Sequence, residues 1–347
     1  MMPEWAGRGG ATGRLEDDMS TPTTRPATLD DVARAAGVSR STASRVIART
    51  GFASPAARDR VAAAVDRLGY VPNPAARALV RGAGVRLVIA VSGTDATVLD
   101  DPYVDRVAGT AARVCAPHGL GVALEWLPLR GPTGLRRLGE DRGVCGVVLV
   151  NTTQPVLDAM PAGLRGRVAS IGIGSVAVPS FDVDNGAGAD AVVRHLCDTG
   201  RRRIAMVTGP RWLTCAGRSV AAYRALMRAA GLPVRLVAGD FTAARGGRAA
   251  LEVLSRWPDT DAIFAASDAT ALGAISALRG RGIRVPGDVA VAGFDDIPYA
   301  AVSTPALTTA THPVRRIAEA AATAVLDGRR VPPVTAFPST LVARDSA

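Results

Sequence analysis

The 347-residue chain reads as a small all-α helix-turn-helix headpiece plus an α/β domain of two Rossmann-like subdomains. Three observations carry that reading. Between Thr28 and Arg81, three short helical patterns are joined by tight turns and bounded by capping residues. From Val85 onward, apolar strand runs alternate with helical patterns, the rhythm of parallel sheets with crossover helices. Positive charge is densest in the helical part: residues 28–81 hold nine Arg against four Asp, whereas residues 82–347 hold 29 Arg against 23 acids. All 41 basic residues are Arg, so it is their distribution that points to a polyanionic partner.

These observations divide the chain into four parts. Residues 1–27 form an N-terminal extension, Gly-, Thr- and Pro-rich without periodicity, and are expected to be disordered. Residues 28–70 form the headpiece and 71–83 a hinge helix or linker. Residues 84–347 form the α/β domain.

In the headpiece, Thr28 caps the first helix, with Asp31 three residues on as an acidic capping box. Ala33 packs where the first two helices meet, and Gly37 supplies the turn between them. Ser39 caps the second helix, in which Ala43, Val46 and Ile47 make a narrow apolar stripe. Arg40, Ser41, Ser44 and Arg45 fall on the other side. Such a face suits a DNA major groove, because Arg addresses guanine bidentately while Ser and Thr serve bases or phosphates. Ser54 caps the third helix, Pro55 opens it and Gly69 follows its end.

The run TLDDVARAAGVSRSTASRVI, then SPAARDRVAAAVDRLGYVPN, then ARAL resembles the headpiece of the lactose-repressor (LacI/GalR) family of bacterial transcription regulators. After it, Asn73 and Pro74 start a helix that Gly82 and Gly84 stop after about two turns, too short to stand alone in water. The resemblance implies a hinge helix that orders when two copies pack in the minor groove, with Leu79 wedged between base pairs. Small Ala75 and Ala76 permit close approach of the helices. The candidate DNA contacts are therefore Thr28, Ser39, Arg40, Ser41, Ser44, Arg45 and Ser54 in the headpiece, and Asn73, Ala76 and Leu79 in the hinge.

Strands are expected at Val85–Val91, Gly121–Leu127, Gly146–Val150, Val168–Ile173, Arg203–Thr208, Ala262–Ala266 and Val289–Ala292. Helices are expected at Val104–His118, Gly186–Thr199, Arg218–Ala230, Arg245–Trp257 and Ala269–Arg281. Two runs of alternation meeting near Asp182 imply two subdomains with a cleft between them. The segments VDNGAGADAVVRHL, GRRRIAMVTGP, SDATALGAISALRGRGIRVPGDVAVAGFDDIPYA and STPALTTATHPV resemble the family's effector domain, which is similar to periplasmic sugar-binding proteins. That architecture implies three crossings between subdomains, expected near Asp182, near Thr309–Thr311 and near Val334, the last returning a final strand to the second subdomain; one subdomain is thus expected at about 84–182 and 312–333 and the other at about 183–309 and 335–347.

By that resemblance, Asp295 in Gly293-Phe294-Asp295-Asp296 takes hydrogen bonds from effector hydroxyls; the alternative is that Asp295 or Asp296 caps the following turn. Asp268 either contacts ligand or caps its helix, and Phe241 either stacks on a sugar face or packs in the core. The family's effector-binding Arg, four residues before the position of Tyr223, is Ser219 here, with Arg218 one residue earlier. Either one is the candidate, and Tyr103 completes the effector set. Gly172 and Gly174 stand where family members often place a polar ligand residue.

No cofactor or metal is called for. Cys115, Cys145, Cys197 and Cys215 are too dispersed for a zinc site, and no phosphate-loop or dinucleotide fingerprint is present. His118, His195 and His312 lie beside no nucleophile motif, so the chain is not read as an enzyme. No run of about 18 apolar residues occurs and no signal-peptide core precedes the headpiece, so a cytoplasmic protein is expected. The expected function is a regulator, a repressor, that binds a pseudo-palindromic operator as a homodimer under control of a small-molecule effector, a carbohydrate or its derivative. The alternative, a solute-binding protein of the periplasmic type, has no use for a DNA-reading headpiece.

Overall fold

The computed structural model describes residues 27–47, 52–70, 85–129, 133–328 and 331–347. The N-terminal extension up to residue 26 and the hinge, including Asn73, Ala76 and Leu79, lie outside them. The described residues fall into two compact units, one before and one after Asn73.

In the first unit, α1 (Leu29–Ala36), α2 (Arg40–Ile47) and α3 (Pro55–Leu68) close around Val32, Ala33, Ala36, Ala43, Val61 and Ala64. With so small a core, the helix ends carry much of the local specification. Thr28 accepts from the Asp31 amide at 3.3 Å while Asp31 accepts from the Thr28 amide at 2.9 Å, a reciprocal capping box. Gly37 (φ 60°) and Gly69 (φ 57°) end α1 and α3 in the left-handed region, which glycine enters without a Cβ penalty.

The second unit contains two parallel sheets. The first runs, in spatial order, β11 (Val334–Phe337), β5 (Ser180–Val183), β4 (Val168–Ile171), β3 (Val144–Val150), β1 (Arg86–Gly93), β2 (Gly121–Pro128). Its crossover helices are α4 (Pro102–Cys115), α5 (Thr133–Glu140) and the short α6 (Gln154–Asp158). The second sheet runs β7 (Arg235–Val237), β6 (Ile204–Val207), β8 (Ala262–Ala265), β9 (Ala290–Ala292). It is wrapped by α7 (Asn185–Asp198), α8 (Thr214–Ala229), α9 (Ala243–Arg256), α10 (Asp268–Arg279) and the short α11 (Pro298–Val302). β10 (Thr309–Ala310) and β12 (Leu341–Val342) pair antiparallel, and α12 (Val314–Asp327) packs on α4, β3, β4 and β5. The apolar runs of β1, β3, β6 and β8 are buried on both faces, as a two-sided sheet requires. Each fully buried aliphatic side chain contributes roughly 1.5–3 kcal/mol relative to exposure.

The third crossing lies later than the sequence places it. Val334–Phe337 pairs in parallel with Ser180–Val183 in the first sheet, and only residues 338–340 lead to β12. The cause is that β11 is an edge strand with alternate residues exposed, so no continuous apolar run marks it. β5 is similarly inconspicuous, with Asp182 at its centre. Beyond β12 the tail is held to the second sheet: Val291 donates to the Ser346 carbonyl at 2.8 Å, and the Ser346 hydroxyl donates to the Val291 carbonyl at 2.6 Å. Among the described residues no helix is long and apolar enough to cross a membrane.

Candidate functional site

In the headpiece unit, burying Ala43 turns the other side of α2 outward. Ser39, Arg40, Ser41, Ser44 and Arg45 are all exposed. Arg40 meets Asp30 at 3.3 Å, an exposed pair that a phosphate or base edge can displace at little cost. Arg45 is held along the helix by donating to the Ser41 carbonyl at 3.2 Å. The Ser39 hydroxyl caps α2, accepting from the Thr42 amide at 3.1 Å, and lies 2.9 Å from the Ser41 hydroxyl. Thr28 and Ser54 use their side chains as caps as well, so Arg40, Ser41, Ser44 and Arg45 form the part of the candidate face least committed to folding.

In the α/β unit the candidate residues separate into three groups. The first surrounds His312, in the second crossing. Its Nδ1 lies 3.1 Å from an Asp295 carboxylate oxygen; its ring sits 4.9 Å from that of Tyr103 and edge-on to Phe294. Tyr103 comes from the first turn of α4, whose N-terminus Asp101 caps at 2.9 Å. Arg106, one helical turn on, donates to the Asp295 carbonyl at 3.3 Å. First subdomain, crossing and second subdomain thus converge on one point.

The electrostatics there follow from burial. Burial lowers the His312 imidazole to about 4, with the Asp182 charge opposing, so the ring is neutral near pH 7. Its Nε2 is buried and has no hydrogen-bond partner among the described residues, an arrangement that usually costs on the order of 1–3 kcal/mol. Burial also pushes the Asp295 carboxyl well up, reinforced by Asp101 and opposed by Arg106. Asp295 (φ 118°) and Asp296 (φ 48°) both hold positive φ without being glycine, conformations that cost energy and cluster at ligand-binding turns. The two carboxylates part company: Asp295 faces His312, while Asp296 takes a 2.7 Å hydrogen bond from Arg344.

Asp268 requires a correction as an effector contact. It is fully buried, and both oxygens are used: one accepts from the Ile297 amide at 2.8 Å, the other from the Thr309 hydroxyl at 2.5 Å. It braces the turn that carries Asp295. Gly293 is required beside it, since a Cβ there would lie 2.3 Å from an Asp268 oxygen.

The second group holds the Arg218/Ser219 alternative. Ser219 is buried and donates to the Asn185 carbonyl at 3.3 Å, which ties α8 to the start of α7. Arg218 reaches across to Asp182 of β5 at 2.9 Å, an ion pair between subdomains beside the first crossing. A cavity of about 640 Å³ opens there, lined by Asp182, Arg218, Thr214, Gly172 and Gly174. The one-residue displacement of the arginine therefore gives it a carboxylate of the protein as partner.

The third group is the mouth of the cleft, a cavity of about 670 Å³. Thr94, Asp95 and Asn151 line it from the first subdomain, and Arg211, Trp212 and Phe241 from the second. Phe241 (φ 72°) presses its ring edge over Gly209, where a Cβ would lie 2.5 Å from it. Phe241 thus both packs against the strand end and lines the cleft. Sequence reasoning missed Trp212, Asn151 and His312 as site residues. The available signal was position: the first two follow β6 and β3 at the carboxyl ends where parallel sheets bind ligands.

Comparison with known proteins agrees with this geometry. Residues 28–73 match the profile described as bacterial regulatory proteins, lacI family, and residues 193–347 match the periplasmic binding protein-like domain. The HTH-type transcriptional regulator CelR of Thermobifida fusca is 36% identical over 323 residues, 87% of this chain and 92% of that protein. The ribose operon repressor of Escherichia coli is 33% identical, covering 85% and 91%. Among solved structures, the lac repressor dimer bound to operator and the anti-inducer ONPF superposes with a TM-score of 0.81 at 25% identity, over 93% of this chain and 99% of that one. A CelR–cellobiose complex superposes with a TM-score of 0.65 at 31% identity, over 92% and 100%. With a DNA-reading headpiece, a two-subdomain cleft and relatives matched over nearly their whole length, this chain belongs to the lacI family of bacterial transcription regulators.

Proposed function

We propose that this regulator is a repressor whose operator binding is set by a carbohydrate or carbohydrate derivative in the cleft. The observation that carries the reading is the Tyr103–His312–Asp295 cluster. It joins both subdomains, and it holds a buried imidazole nitrogen that lacks a partner. A polyhydroxyl ligand supplies both missing elements: hydroxyls to donate to a carboxylate and imidazole, and a C–H face to lie on Tyr103 or Trp212. The CelR–cellobiose complex, at 31% identity, supports a sugar-class ligand. The lac repressor dimer on its operator supports a paired arrangement, in which two headpieces read successive major grooves. Tyr299 and Val302 of α11, 63% and 77% exposed, offer an apolar strip suited to self-association.

Ligand closing the cleft changes the relation between subdomains, and operator affinity shifts by the ligand's differential affinity for the two arrangements. The test is a thermal-shift screen of sugars, cellobiose and ribose included, on the full chain. Operator binding is then measured with each hit. A saturable stabilisation accompanied by a change in operator affinity is expected; stabilisation that leaves operator affinity untouched would make the cleft a storage or structural site.

A further inference from the structure

The second subdomain carries another cavity, of about 560 Å³, between α8 and α9 and floored by Leu236 and Val237 of β7. Four guanidinium groups line it, Arg211, Arg224, Arg245 and Arg256, against one carboxylate, Glu252. Glu252 pairs with Arg245 at 2.9 Å and with Arg256 at 3.4 Å. Arg211 and Arg224 are exposed and have no ion-pair partner among the described residues. Arg256 is further fixed by lying 4.6 Å over the Trp257 ring, which pre-orients its planar fork. The N-terminus of α8 opens on the same groove through Thr214 and Gly217. Its N-cap residue, Leu213, supplies no side-chain acceptor for the first-turn amides. The net charge of the lining is three positive, over an apolar floor.

We propose that this groove is a second ligand site, for a small phosphorylated metabolite, in addition to the effector cleft. Guanidinium forks match phosphate oxygens bidentately. A groove of this volume lies in the range that holds small molecules, and Leu236 and Val220 provide an apolar seat for the unphosphorylated part. Pro210, Arg211 and Ala238 line both this groove and the cleft mouth. An anion that draws Arg211 toward Arg224 therefore withdraws a cation from the cleft rim, so the two ligands are coupled through a shared residue.

Isothermal titration of the full chain at low ionic strength tests this, with inorganic phosphate and glucose 6-phosphate as probes and glucose as the uncharged arm. Both phosphate probes should bind the parent. Affinity should fall about tenfold or more in Arg224→Gln combined with Arg256→Gln, as expected for lost charge-assisted hydrogen bonds. Asp295→Asn should leave it unchanged. Arg224→Glu alone should abolish binding without lowering the melting temperature, because that side chain is exposed and unpaired. Three results would overturn the proposal: no binding of either phosphate probe to the parent, equal binding to the parent and the Arg variants, or loss confined to Asp295→Asn, which would put the phosphate compound in the cleft. Failure of the cleft reading is separately visible, as sugar binding indifferent to Asp295→Asn.

Discussion

Asp295 and His312 make opposite demands on the same few ångströms, and their chemistry gives the sharpest residue-scale predictions. Asp295→Asn keeps the shape but replaces an acceptor oxygen by a donor. A charge-assisted hydrogen bond is worth ~1.5–3 kcal/mol, so effector affinity should drop more than about tenfold. Operator affinity without effector should barely move. If calorimetry gives parent-like effector affinity, Asp295 serves the turn and not the ligand. His312 predicts a pH effect of definite sign. Burial lowers its pKa from the ordinary 6.5 to about 4, so between those values the unfolded chain binds a proton that the folded chain refuses. Its contribution to stability is therefore full above about pH 6.5 and is lost as pH falls toward 4. NMR of the ring should show no titration near 6.5 in the free protein. A midpoint there would mean that the imidazole is solvated.

In the headpiece, Arg40→Ala and Ser41→Ala should relax base preference at particular operator positions at a cost of about 1–3 kcal/mol. Binding arrays over operator variants measure this; equal losses on operator and random DNA would reduce both residues to phosphate contacts. The exposed polar face of α2 was legible in sequence because caps, glycine turns and a one-sided stripe are local signals. The cleft partners were not. The resemblance to the family narrowed the effector-binding position to Arg218 or Ser219. Their actual partners, Asp182 for Arg218 and Asn185 for Ser219, reach them only through the fold. Asp268 was ambiguous for the same reason, since Thr309 and Ile297 are distant in sequence.

At the scale of elements, long two-sided strands and capped helices announced themselves, as did the edge strands β2 and β9, while β5, β7 and β11 did not. Strand β11 escaped because half its residues face outward, and β7 because it is three residues long with Arg235 inside it. The packing of α9 on α10 shows what sequence cannot display at all. Gly246 and Gly273 let the two backbones nearly touch: a Cβ on Gly273 would sit 1.9 Å from the Ala243 carbonyl oxygen, and one on Gly246 would sit 2.1 Å from that of Thr270. Gly273→Ala should therefore destabilise the effector unit by ~1–3 kcal/mol through overpacking. Thermal or urea unfolding reads this directly, and an unchanged midpoint would show that the helices separate freely. The hinge segment belongs to this scale as well: Leu79→Ala should weaken operator binding far more than non-specific binding and reduce DNA bending. Bending equal to that of the parent would remove the wedge role.

At the scale of the molecule, the chain couples a short basic headpiece to a cleft whose halves meet at Tyr103, His312 and Asp295. In the proposed dimer two such headpieces lie on one operator, so a small change in subdomain relation acts twice. The fold class, the headpiece and the existence of a cleft followed from composition, periodicity and motif order. The partners of the cleft's polar side chains became readable only with the crossings in place. The most direct measurement is operator affinity by fluorescence anisotropy, with and without the effector found by screening, in the parent and in Asp295→Asn. Effector should shift the parent's operator affinity by about 5- to 150-fold, the usual span of allosteric coupling. In Asp295→Asn the same shift should require at least about tenfold more effector. Identical effector dependence in the two proteins, or no shift in the parent, would contradict it.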